Sequence, residues 1–127
     1  MMADAYQAGH EAAAQVTRLA IGPTKYSSGG FIEFGWYGSG EIAMQLFNAH
    51  GERELVATVS LLPYGAPDPG RHGVWIRDWA ESAGVADALV KAGIVRLTGR
   101  THPTGYVVAL HAELTDAAIA LLPKAMQ

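Results

Sequence analysis

The side chains best equipped for chemistry in this chain fall between positions 64 and 102. Tyr64, Arg71, His72, Trp75, Arg77 and Trp79 follow one another closely, and Arg100 and His102 form a second, independent patch. Trp, Tyr and Arg dominate the hot spots of protein interfaces, because they join large area to directed polar contacts. In a strand, Trp75 and Arg77 point the same way, so an indole and a guanidinium share one face. The competing use of these residues is interior packing. Trp75 and Trp79 would then fill the core, with the Arg77 stem laid over them, and a domain this small needs large side chains inside.

Other constellations are weaker. Asp78 and Glu81 would sit close together after a strand end, as paired carboxylates for acid–base work do. Their spacing fits a helix N-terminus equally well, with Asp78 as the cap, and the helix dipole favours acids there. His10, His50, His72, His102 and His111 invite a metal site, but no two have helical or strand ligand spacing, and there is no cysteine to complete one. No Gly-rich phosphate loop is present, and Tyr37-Gly38-Ser39-Gly40 reads as a hairpin turn, not as a nucleophile elbow. Nothing in the spacing activates a nucleophile.

Composition narrows the class. The 127 residues make one domain with room for a core, and 50% apolar against 17% charged is the balance of a globular protein. A net charge of −3 with nine Lys and Arg gives no basic stripe, so direct nucleic-acid binding is not expected. The absence of cysteine removes disulfides and thiolate chemistry. The start, Met1 to Ala5, lacks the regions of a signal peptide, and no apolar run reaches membrane-spanning length. A soluble cytoplasmic protein is the expectation.

The Ala-rich residues 3–21 predict a helix, stopped by Gly22-Pro23. Period-two alternation predicts strands over about 31–37, Glu41–Phe47 and Leu55–Leu62. Residues 63–73, with three Pro and three Gly, predict a long exposed loop. Val74–Arg77 reads as a fourth strand, followed by a turn at 79–83 and a helix at about 84–92 ended by Gly93. Ile94–Thr98 and Gly105–Glu113 are the last strands, joined by a loop at 99–104. Thr115 caps a final helix over about 116–125. The order α-β-β-β-β-α-β-β-α predicts an α+β domain over 1–127, a mostly antiparallel sheet of five to six strands with helices on one face. Within it, 1–22 is the N-terminal helix, 30–113 the core and 115–127 the C-terminal helix.

Several short motifs recur in order: Glu41-Ile42-Ala43-Met44-Gln45-Leu46, Gly51-Glu52, Ala57 to Pro63, Trp75 to Glu81, Gly93-Ile94, Thr98-Gly99-Arg100 and Thr104 to Val107. Together they resemble a family of small uncharacterised bacterial proteins, a domain of unknown function common on conjugative elements and phage-like regions. The resemblance covers about residues 35–110. Members often carry Asn-Glu-Gly where this chain has Glu81-Ser82-Ala83-Gly84, so no role for that Asn carries over. By association, residence on mobile elements implies an accessory or counter-defence role, and anti-CRISPR proteins are typically compact, cysteine-poor and non-enzymatic.

The resulting expectation is a non-enzymatic module that binds and inhibits a host protein. Its contacts would come from Tyr64, Arg71, His72, Trp75, Arg77, Trp79, Arg100 and His102, with no cofactor, no metal and no membrane. A homodimer through an exposed sheet edge is compatible with it. The alternative is a small-molecule or nucleotide-sequestering protein, with Arg77, Arg100 and His102 on the phosphates and Trp75 or Tyr106 stacked on the base. A weak enzyme using Asp78, Glu81 and a histidine ranks third.

Overall fold

Alternating apolar residues lay down the first sheet. The computed structural model describes residues 18–123, and in it β1 (Arg18–Ile21), β2 (Gly30–Trp36), β3 (Ile42–Phe47) and β4 (Arg53–Val56) form an antiparallel sheet in that order. Ile32 pairs with Leu46, and Phe34 with Met44, so the inward residues of β2 and β3 stack on one side. Tight turns join them: Gly40 takes φ 90 behind Tyr37, and the Asn48 side chain accepts from the amides of His50 and Glu52.

The second sheet holds β5 (Gly73–Ile76), β7 (Val107–Leu114) and β6 (Val95–Thr104), antiparallel in the order β5-β7-β6. Residues 57–59 stitch the two sheets together. The Ala57 amide donates to Met44 O at 2.8 Å, while Arg77 N donates to Ala57 O and Val59 N to Trp75 O at 2.8 and 3.0 Å. The Thr58 hydroxyl stands in for a backbone acceptor there, taking the Met44 amide at 3.1 Å. Backbone groups at this junction are therefore satisfied, as burial demands.

Between the sheets lies the main core, with Ile32, Met44, Leu46, Ile76, Leu89 and Ile94 all sealed from solvent. Each such side chain contributes about 1.5–3 kcal/mol. Helix α1 (Val85–Lys91) closes this core with Val85, Ala86, Ala88 and Leu89, and touches both β1 and β6. The short α2 (Asp116–Ile119) starts at Thr115, whose hydroxyl accepts from the Ala118 amide, and Trp36 Nε1 donates to Pro123 O at 3.2 Å. No helix among the described residues is long and apolar enough to cross a membrane.

The α+β class holds, but the sheet count and element order differ from the sequence expectation. Instead of one sheet of five to six strands there are two, of four and three. The expected helix over 3–21 lies outside the described residues up to position 17, and Arg18–Ile21 is a strand. Pairing with β2 and burial of Ile21 override the helix propensity of the stretch. The third strand stops at Val56, and Leu62–Tyr64 is a 3-10 turn. The turn at 80–82 and the helix from Val85, ended by Gly93 at φ 75, are as the spacing predicts. Residues 99–104 are not a loop; they continue β6 through a bulge. The final helix ends at Ile119, with positions 124 and 125 outside the described residues.

Candidate binding face

The three-stranded sheet has two unlike faces. Val74, Ile76, Ala112 and Leu114 point into the main core. The opposite face begins with Trp75, which pairs with His111 in register and packs with Leu61, Ala66 and Ala109 in a small second core. Alternation along β7 and β6 brings Ala109, His111 and His102 to this same side.

A strap, residues 61–72, crosses over this face and is tied down at three points. Glu41 holds its start. This carboxylate is 6% exposed and accepts from Ser39 Oγ, Ser60 Oγ and the Leu62 amide on Oε1, and from the Leu61 amide on Oε2, at 2.6–3.2 Å. Trp75 Nε1 donates to Pro67 O at 3.2 Å. His111 Nε2 donates to Pro69 O at 2.7 Å. A carbonyl only accepts, so Nε2 carries a proton, and Nδ1 shares a 2.7 Å hydrogen bond with the Thr98 hydroxyl. Tyr37, whose hydroxyl donates to Thr58 O, lies near this clamp; burial pushes its pKa up, partly opposed by the bond to Thr58.

The strap is thus not the freely exposed loop its composition predicts. Ala66 and Pro69 are buried, and Gly73 is obligatory, because a Cβ there would collide with the Pro69 carbonyl. Tyr64, in contrast, projects from the strap at 82% exposure.

The bulge in β6 sets the remaining geometry. Leu97 faces Ala112 and Thr101 faces Leu110, so residues 98–100 stand opposite His111 alone. Gly99 turns at φ 90 and the hinge aims Thr98 at His111 and Arg100 over the Trp75 ring, 5.9 Å from its centroid. The His102 ring lies 5.7 Å from the same indole and His111 5.2 Å. Trp75 itself is 1% exposed, so it is a floor beneath these groups and not a contact surface.

At the far end of β5, Arg77 stacks over Trp79 at 5.5 Å and bonds Glu81 and Ser82 at 2.9 Å. The Glu81 carboxyl is held below the usual range, first by its own backbone amide and then by Arg77. The N-cap of α1 is Gly84 and not Asp78, so the expected capping box does not form; the Asp78 carboxylate reaches the helix start from a distance, accepting from the Ala86 amide at 3.2 Å.

Of the eight residues singled out from sequence, Trp75, Trp79, Arg77, Arg100 and His102 come together around this face, with Tyr64 on its strap. Arg71 and His72 do not join them. They sit before the start of β5, where Arg71 lines a cleft of about 540 Å³ with Ser39, Glu41 and Asp68. Both line a smaller one of about 300 Å³ beside Arg96, Glu113 and Asp116. Among the described residues no three His, Asp or Glu side chains gather as metal ligands would.

Sequence reasoning missed Glu41, placed on a polar strand face, and His111, taken for a surface or capping histidine. Each is decided by a partner far along the chain, Leu61 for one and Pro69 for the other. Compared with known proteins, the chain matches no family model, no curated protein and no solved structure.

Proposed function

We propose that this chain is a binding module that acts by occupying a surface on another protein, not by turnover. The observation that supports it is the double stacking of guanidinium on indole around one sheet face, Arg100 over Trp75 and Arg77 over Trp79. Immobilising the indoles from below fixes the cations above them, which reduces the ordering cost of binding. Tyr64 adds a large, rigid amphipathic ring on the strap. The resemblance to proteins of conjugative elements and phage-like regions makes a host protein the partner, and inhibition of host defence, of the anti-CRISPR kind, the role. The nucleotide-sequestering alternative needs an open ring beside Arg100 and His102. Trp75 is closed, and Tyr106 stands at the hairpin tip beyond them.

Affinity capture from bacterial lysate with the wild type, a Tyr64→Ala/Arg77→Ala/Arg100→Ala variant and an Arg53→Ala control tests this. A protein recovered by wild type and control but lost by the triple variant, and then bound directly after purification, is the expected outcome. Identical partner sets for all three, or none for any, overturn the proposal.

A further inference from the structure

We infer that Arg100 and His102 form a subsite for a single carboxylate, presented by an acidic segment of the partner. The inference rests on the recognition face proposed above and names the chemistry that this part of it takes.

Four cations of the fold each pair with a carboxylate. Arg18 pairs with Glu33, Arg77 with Glu81, Lys91 with Asp87 and Arg96 with Glu113. The stretch 97–112 contains no Asp or Glu at all. Within it, the Arg100 guanidinium and the His102 ring make no side-chain hydrogen bond or ion pair among the described residues, and each rests on the Trp75 indole instead. The other unpaired Lys and Arg side chains among the described residues have different surroundings. Arg71 lines clefts that hold Asp68, Glu113 and Asp116, Arg53 lies between Glu52 and Glu54 in sequence, and Lys25 packs on Tyr26.

The geometry around Arg100 is built rather than incidental. The bulge at 98–100 aims successive even-numbered side chains, Thr98, Arg100 and His102, at the Trp75–His111 side. Trp75 is fixed by its bond to Pro67 O, so the two donors above it share a rigid base. A planar guanidinium supplies parallel N–H donors that fit a carboxylate fork, and an imidazole adds one more. One permanent positive charge matches a carboxylate monoanion better than a phosphate dianion.

The test is a titration of the ¹⁵N-labelled protein, followed by NMR, with a capped and amidated Gly-Glu-Glu-Gly peptide. Its arms are the matching Gly-Gln-Gln-Gly peptide, that Gln peptide with a free C-terminus, and inorganic phosphate. Saturable shifts confined to the amides of 98–102 and the His102 ring, absent with the capped Gln peptide, are expected. Arg100→Gln weakens them about tenfold. The free C-terminus arm separates side-chain from terminal carboxylates, and binding by that arm alone overturns the acidic-segment assignment. Stronger saturation by phosphate overturns the carboxylate assignment. Absence of saturable shifts at 98–102, or equal binding by Arg100→Gln, overturns the subsite. If either occurs while the protein partner is still captured, the recognition face stands without this subsite.

Discussion

His111 and Pro69, 42 positions apart, are joined by a 2.7 Å hydrogen bond from a buried imidazole to a backbone carbonyl. That bond turns a Pro- and Gly-rich connection into a fixed part of the binding face. Replacing His111 with Ala removes the tie and the Thr98 partner, and leaves a void beside Trp75. A loss of about 2–4 kcal/mol is expected in urea unfolding. Faster amide exchange at 66, 68 and 70 should accompany it, and unchanged exchange there would show that the strap is held by other means.

Glu41 is the second anchor. Glu41→Ala strands the Leu61 and Leu62 amides and should cost about 2–4 kcal/mol, while Glu41→Gln keeps one acceptor oxygen and costs less. Chemical denaturation of the two variants side by side gives the ranking, and equal losses would count against the carboxylate clamp.

Gly73 has no room for a methyl group, whereas Gly38 meets nothing within 4 Å. Gly73→Ala should therefore destabilise by about 2 kcal/mol or more, through displacement of Pro69. Gly38→Ala should stay within about 0.5 kcal/mol of wild type. Melting temperatures of the pair check both.

Tyr37 predicts the alkaline limb of the stability curve. Burial, the largest cause, raises its pKa above the ordinary 10.0, so the folded state favours the protonated phenol. Its contribution is complete below 10.0 and disappears as pH climbs through the raised folded value. Tyr37→Phe should flatten this decline, measured by denaturant midpoints on both sides of that pH.

The patterns that local rules can reach were legible. Strands β2, β3 and β5, the turns at Gly40 and Asn48–Glu52, and the helix ended by Gly93 all follow from periodicity and glycine conformation. The strand at Arg18–Ile21 was not legible, because an Ala-rich run reads as helix until β2 is present to pair with it. Nor was the extension of β6 through Pro103. Gly99 and Pro103 look like loop residues, and only a bulge and an edge position make them compatible with a strand.

The sequence by itself determined the class of object: an α+β domain with four of its six arginines and two of its three tryptophans between positions 64 and 102. Tertiary structure alone decided which of them face outward. Trp75 became the floor, Arg100 and His102 its rim, and Arg71 and His72 went to the other end of β5. The physical reason is that burial of a strand face depends on what crosses it. Here the covering strap is held by Glu41, Trp75 and His111, bonds that span 8 to 42 residues and leave no local periodicity to read.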